Sequence, residues 1–523
     1  MYGKIFSGCV HGIEGKKVEV EIDIANGLPQ INIVGLPGGA IRESAERVRA
    51  ALKNSRFEFP LKRITVNLAP ADLHKEGSAF DLAIAAGILT TSKQIRLYGC
   101  EKALIIGELS LDGAVRAVPG VLSMVQMAKA AGLKIAILPG DNAAEANLIS
   151  DMLIVPVNRL EDLRELESAE KFQAYMNGVQ IAEINDSRES NALNVQDFDY
   201  AEVKGQHFAK RAMAIAAAGM HNIMLVGPPG SGKTMLIRRL PTILPPMTEA
   251  EALEVTKIYS IAGKLERGGT MIRQRPFRDP HHTISQGGLI GGGSPPRPGE
   301  VSLAHHGVLF LDEMPEFPRR VLEVLRQPLE DRKVTLARAR ASYAFPSRFI
   351  LAATMNPCPC GYYGHETETN PCSCHKQKIA AYRDKLSGPL LDRIDLHVDV
   401  PRVEIEELTN SSEPAAGKHQ LTSKELREMV YRAHAVQQKR YAGTQIRYNG
   451  ELFGTLLRAH CRLKQDAAQL LQQSFNALGL SARAYDRILK LARTIADLEQ
   501  SETIELEHVA EAIQYRKLDQ RTL

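Results

Sequence analysis

Three groups of residues in this sequence have types and spacings suited to nucleotide chemistry. The first is Gly227-Pro228-Pro229-Gly230-Ser231-Gly232-Lys233-Thr234, a full match to GxxxxGK[ST]. Its glycines let the backbone wrap a phosphate, and successive N–H groups add positive potential at the start of the next helix. Lys233 is expected to contact the β and γ phosphates of ATP, and the Thr234 hydroxyl to ligate Mg²⁺. In the second group an apolar run, Val308 to Leu311, ends in Asp312-Glu313. Acids at the end of a buried strand are costly to desolvate unless they meet a cation or a polar site. Asp312 would then bind Mg²⁺, directly or through water, and Glu313 would polarise the attacking water; a strand followed by an acidic N-cap is the plainer reading. In the third group FILAAT (Phe349 to Thr354) leads into Met355-Asn356, placing an amide where it could orient that water. Alone, an Asn after a strand is a turn residue, so its meaning depends on the other two groups.

Two further features are less specific. Of the seven cysteines, Cys358, Cys360, Cys372 and Cys374 form two CxC pairs separated by eleven residues, with His365 and His375 as alternative ligands. Two close pairs across a loop can close a tetrahedral thiolate site for Zn²⁺, structural because it has no open position; unliganded loop thiols are the other reading. Cys9, Cys100 and Cys461 have no such neighbours and are expected to be buried small residues. Between Asp331 and Glu366 there is no acid, but Arg332, Lys333, Arg338, Arg340 and Arg348 are present. The run Lys333 to Phe345 alternates as a β-hairpin would, with Arg338 and Arg340 on one face by period two. A basic hairpin suits a nucleic-acid backbone or is simply solvated.

These groups need elements to hold them. Phe208 to Gly219 reads as a helix running into the strand Asn222 to Val226, and Val308 to Asp312 and Phe349 to Thr354 are further buried strands, an α/β layout with a parallel sheet. From Thr422 onward the chain is helix-forming. Upstream, Val18 to Asp23, Ile31 to Val34, Ile64 to Pro70 and Ala103 to Leu109 read as strands; Gly38 to Asn54, Ala79 to Leu89 and Val121 to Ala131 read as helices. The polar, aperiodic stretch Glu183 to Asn194 reads as a linker.

With 523 residues the chain is long enough for about three domains. Its 44% hydrophobic and 24% charged residues exclude bulk disorder. The net charge of +4 is unevenly spread: 19 basic and 21 acidic residues in 1–170, 2 and 5 in 171–200, and 44 and 35 beyond, giving −2, −3 and +9. An odd cysteine count in so long a chain is not a disulfide scaffold and suggests a reducing compartment. The first twenty residues have no uninterrupted apolar stretch and nowhere do eighteen apolar residues run together, so a soluble, cytoplasmic protein without a membrane partner is expected.

The motifs together resemble the ComM (YifB) family of magnesium-chelatase-like AAA+ ATPases. The likeness runs through GPPGSGKT, RPFRDPHHTISQGGLIGGG (Arg275 to Gly293), PGEVSLAHHGVLFLDE (Pro298 to Glu313), ATMNPCPCGYYG (Ala353 to Gly364) and GPLLDRIDLHV (Gly388 to Val398). It extends to GLPGGAIRESAERVRAAL (Gly35 to Leu52) and GLSARAYDRILKLARTIADL (Gly479 to Leu498), nearly the whole chain. The resemblance implies that Asn356 is the sensor 1 residue, Arg393 an arginine finger reaching a neighbouring subunit, and Arg483 the sensor 2 arginine. It also makes Gln286 to Gly293 the helix 2 insertion and the basic hairpin the pre-sensor 1 hairpin, both pointing into the pore of a homo-hexamer. Lys333, Arg338 and Arg340 would then contact DNA, single-stranded or branched. The implied function is an ATP-dependent helicase that promotes branch migration during natural transformation; a chelatase motor subunit acting on a protein partner is the alternative. The implied fold class is α/β: a Lon-protease-like α+β domain (1–170), a linker (171–200), an AAA+ P-loop core (201–405) and a helical lid (406–523).

A Lon-type fold raises ATP-dependent proteolysis, which needs a serine activated by a lysine. The position matching the nucleophile is Ala79, with Ser78 one residue early, and the position for the lysine is Leu122. Both halves of the dyad are missing, so a noncatalytic scaffold or DNA-contacting domain is expected.

Overall fold

The structure is a computed structural model describing residues 1–184, 198–266, 270–338, 341–368, 370–403 and 420–516. Its N-terminal part is built on a seven-stranded mixed sheet. Strand Glu14–Ala25 pairs antiparallel with both Tyr2–His11 and Arg63–Ala69; beyond Tyr2–His11, strands Ala103–Ile105, Ile135–Pro139 and Leu153–Val157 add in parallel. Every second residue from Val18 to Ile24 is buried, as a sheet with one face on a core requires. Helices Gly39–Asn54 and Asp81–Thr91 share a core with this sheet, and helix Val121–Ala130 lies in a second cluster. The predicted strand Ala103 to Leu109 is two pieces, Ala103–Ile105 and Glu108–Leu109, broken at Gly107.

The stretch expected to begin a linker at residue 171 continues helix Ala169–Ile184 instead. Phe172 and Met176, four apart on one helix face, are buried in the N-terminal core, so hydrophobic burial carries the helix into this stretch. Much of the Ser/Asn-rich part, 185–197, lies outside the described residues.

The central part holds a five-stranded sheet in the order Phe277–Arg278, Val308–Leu311, Ile350–Met355, Ile223–Val226, Leu396–Asp399, with every pairing parallel. Three of these strands are the predicted ones, and their near-continuous burial, broken only at Val226, explains why they read as apolar runs without alternation. Because the strands are parallel, Val226, Leu311 and Met355 end at the same sheet edge. The residues that follow them are those the sequence singles out.

The C-terminal helices Ser423–Arg440, Gln465–Leu478, Ala482–Leu498 and Leu506–Gln514 pack as one hydrophobic cluster with helix His207–Gly219. A Thr422–Glu425 capping box starts the first of them. That first turn is tied to the beginning of the central part: the Ser423 N–H donates to Asp199 Oδ1 at 2.8 Å, and the Ser423 hydroxyl accepts from the Tyr200 N–H at 2.8 Å. Among the described residues no helix is long and apolar enough to cross a membrane.

Candidate nucleotide site and basic hairpin

The GPPGSGKT loop follows strand Ile223–Val226 and opens helix Lys233–Arg238. A Cβ on Gly227 would lie 2.2 Å from the Val400 carbonyl oxygen, so only glycine fits that first turn. Lys233 is 9% exposed. Its ammonium donates to Gly227 O at 2.7 Å, Pro228 O at 2.8 Å and Asn356 Oδ1 at 3.2 Å. Burial lowers its affinity for the proton, and the charges of Asp312 and Glu313 oppose that shift.

Thr234, Asp312, Glu313 and Asn356 converge on this loop. The Thr234 hydroxyl lies 3.3 Å from Asp312 Oδ2, an oxygen donor pair suited to a hard cation such as Mg²⁺. Glu313 is exposed and holds a positive φ of 49°, a conformation that costs a non-glycine residue energy. One residue missed in the sequence explains how both acids are fixed. The Thr354 hydroxyl donates to Asp312 Oδ1 at 2.5 Å and accepts the Glu313 N–H at 2.9 Å. The available signal was a hydroxyl inside the wholly buried strand Ile350–Met355, where an unpaired polar group would be costly.

Arg393 and Arg483 lie elsewhere. They line a cavity of about 530 Å³ with Arg332, Arg487, Lys490 and Glu330, and the lining includes no residue of the phosphate loop. Arg393 is buried and held by an ion pair with Glu330 and a 2.6 Å bond to Pro389 O. Arg483 is exposed. The C-terminal helices, packed on helix His207–Gly219, thus bring Arg483 to the same cavity as Arg393.

The basic hairpin forms from Lys333–Ala337 and Ser342–Pro346, with Ala337 opposite Ser342. The Arg338 N–H donates to Ala341 O at 2.9 Å, carrying the pairing one residue past Ala337 and Ser342; Arg340, expected on the same face as Arg338, lies outside the described residues. Lys333 and Arg338 are exposed. The Arg338 guanidinium donates to Gly293 O in the glycine-rich insertion at 3.0 Å. On its other side the hairpin meets the N-terminal domain: the rings of Tyr343 and His11 lie 4.5 Å apart at a tilt of 31°, and His11 Nε2 donates to Ser342 O at 3.1 Å.

Two clusters of metal-ligating types occur among the described residues, and they differ. Cys358, Cys360, Cys372 and Cys374 bring four sulfurs within 4.8 Å of one another, a group able to hold a cation. Glu254, His305 and His306 also converge, but their protons are spoken for. His305 Nδ1 accepts the Arg348 N–H at 3.0 Å, so its Nε2 carries a proton and donates to Glu254 Oε2 at 3.1 Å. His306 Nε2 meets the same oxygen at 3.0 Å. This is a satisfied hydrogen-bond network. Hydrogen bonds from both imidazoles hold the Glu254 carboxyl well below the usual range, and burial pushes His305 down to about 4. Of the remaining cysteines, Cys9 and Cys461 are buried as expected, whereas Cys100 is only half-buried.

In the N-terminal domain Leu122 is fully buried, and Ala79 packs against the same apolar cluster. The Ser78 hydroxyl bonds Glu108, and the buried Lys75 ammonium donates to the carbonyls of Gly35, Leu68 and Pro70.

Three family models cover most of the chain: magnesium chelatase subunit ChlI over residues 199–408, subunit ChlI of Mg-chelatase over 20–142, and the ChlI C-terminal model over 420–516. Competence protein ComM of Haemophilus influenzae is 42% identical over 516 residues, covering 98% of this chain and 97% of its own length. The chain belongs to the ComM (YifB) family. Protein YifB of Salmonella typhimurium is 41% identical over 508 residues, 97% of this chain and 96% of its own. Lon protease 2 of Bacillus subtilis is 29% identical over 188 residues, 34% of this chain and 31% of its own. The fold is the mixed α/β arrangement of a magnesium-chelatase-like AAA+ protein with a Lon-like N-terminal part and a helical C-terminal region. In this ComM-family chain the loop, acids and amide come together in one hydrogen-bonded group, and the two arginines line a separate cavity.

Proposed function

We propose that this chain is an ATP-driven DNA motor acting as a homo-hexamer: a helicase that promotes branch migration during recombination of incoming DNA. The observation that carries this reading is the separation of the Lys233, Thr234, Asp312, Glu313 and Asn356 site from the cavity holding Arg393 and Arg483. A γ-phosphate held by Lys233 needs further positive charge during transfer, and here that charge faces away. A ring in which each subunit offers both arginines to its neighbour's nucleotide completes the site. Lys233 binds the phosphates, Thr234 and Asp312 hold Mg²⁺, Glu313 orients the attacking water, and Asn356 reports the γ-phosphate. Arg393 must leave Glu330 to act, which links assembly to catalysis.

Lys333, Arg338 and Arg340 form the DNA contact. The Lon-like domain is a scaffold beside that hairpin, with no peptidase chemistry. The cofactors of this reading are ATP and Mg²⁺, with Zn²⁺ in the four-cysteine cluster. ATPase and strand-displacement assays with single-stranded, forked and four-way DNA test it: DNA-stimulated turnover with branch migration is expected, and turnover indifferent to every DNA would reject it.

The chelatase family models favour a second reading, a motor subunit acting on a protein partner. It predicts ATPase activity without DNA stimulation. The two readings therefore part on one measurement.

A further inference from the structure

Four thiols from two loops converge on one point. Cys358 Sγ lies 3.2 Å from Cys360 Sγ and 3.8 Å from Cys372 Sγ; Cys360 and Cys372 are 3.5 Å apart, and Cys374 joins them within 4.8 Å. A disulfide would require about 2.05 Å. Thiolates about 2.3 Å from a central Zn²⁺ form a tetrahedron whose edge is about 3.8 Å, that bond length times about 1.63. The three separations of 3.2, 3.5 and 3.8 Å lie at or somewhat below this edge. They leave room for a single ion, whereas a polynuclear iron–sulfur cluster binds its cysteines on different irons and spreads them wider.

The loops are also shaped to present sulfur. Gly361 adopts a φ of 90°, which L side chains rarely take, and its N–H closes a turn onto Cys358 O at 3.0 Å. The Tyr363 N–H then donates to Cys358 Sγ at 3.4 Å, a bond that favours a charged thiolate. Histidine ligands are not required: His365 Nε2 is engaged with Asp399 Oδ1 at 3.1 Å.

The cluster's position gives it a task. Cys358 follows Asn356 by two residues, and Cys374 precedes helix Lys376–Arg383 by two. Arg383 of that helix donates back to Pro357 O at 3.3 Å. A Cβ on Gly361 would stand 2.6 Å from Pro229 Cδ, so the cysteine loop lies directly on the phosphate loop. We propose that the four thiolates bind one structural Zn²⁺, and that the filled site is a staple fixing Asn356 and the Pro229 turn of the nucleotide site. The staple role rests on the proposed ATPase reading; the metal site does not.

The test begins with metal analysis of the full chain purified from zinc-supplemented cells. Equimolar zinc is expected, lost in Cys360→Ser and Cys372→Ser and kept in Cys100→Ser. A zinc-free chain, equimolar iron, or full zinc retention in the first two variants would overturn the metal site. Where a variant fails to fold, Co²⁺ exchanged into the wild-type chain must give thiolate charge-transfer and tetrahedral d–d absorption, and octahedral bands count against the site. Removing zinc from folded chain with a chelator should speed hydrogen exchange across Asn356 to Tyr363 and slow ATP hydrolysis ~100-fold, the scale of a misplaced reacting group. Unchanged exchange and hydrolysis would overturn the staple. Equimolar zinc in a chain that never binds ATP would support the metal site and reject the ATPase reading.

Discussion

The N-terminal part of this chain is Lon-like and the central part is magnesium-chelatase-like, and the two differ in what surrounds the residues the sequence singles out. In the central part Lys233, Thr234, Asp312, Glu313 and Asn356 are linked by hydrogen bonds through Thr354 and the phosphate loop. In the Lon-like part the positions aligned with a serine and a lysine are Ala79 and Leu122, which meet in one apolar cluster. A buried lysine at position 122 would need a partner for its charge, whereas leucine there adds to the core. Ala79 and Leu122 thus serve packing, while Lys233, Asp312 and Thr354 of the candidate nucleotide site are held by hydrogen bonds.

The sharpest way to test this contrast is on the arginine side. Arg393→Ala should cut ATP hydrolysis by about a thousandfold or more while nucleotide binding persists, since trans arginines contribute on that scale. Wild-type turnover in that variant would erase the distinction between the nucleotide site and the arginine cavity. Glu313→Gln comes next: turnover should fall roughly 100-fold with ATP still bound, measured as stoichiometric nucleotide retained per chain.

Rebuilding the dyad tests the other half. Ala79→Ser with Leu122→Lys should yield no casein cleavage and should destabilise the chain by about 3 kcal/mol through the buried ammonium, read as a lower urea midpoint. Casein cleavage would show that the Lon-like part lacks only two atoms' worth of chemistry. Arg338→Ala should weaken DNA binding a few-fold and reduce the salt slope by roughly one, equally across sequences; an unchanged slope would remove Arg338 from the DNA path.

The smallest effect concerns pH. His305 is held neutral down to about 4 when folded but binds a proton near 6.5 when unfolded. The unfolded chain therefore takes up more protons between these values. Its contribution to stability is present above 6.5 and is lost as pH falls toward 4. His305→Gln should flatten that dependence in urea melts across the window.

Much of the site was legible because nucleotide chemistry is written locally. Eight adjacent residues define the phosphate loop, and the acids and the amide each end an apolar run. Thr354 was not read because its hydroxyl gains meaning only from the neighbouring strand that carries Asp312. The hairpin itself was legible from its alternation, and the pairing reaches Arg338 opposite Ala341. The helix running past residue 171 was missed because Phe172 and Met176 are buried by a core assembled from distant strands.

By itself the sequence determined the GxxxxGK[ST] loop, the parallel strands that end in Asp312 and Asn356, and the two close cysteine pairs. Each depends on residue identity at short spacing, which the chain states directly. Tertiary structure alone decided that Arg393 and Arg483 share a cavity, that the basic hairpin rests on the N-terminal domain, and that one metal-like cluster is open while the other is closed by its own hydrogen bonds. Those outcomes depend on which surfaces pack together and where protons reside, and both are set by contacts between residues far apart in the chain.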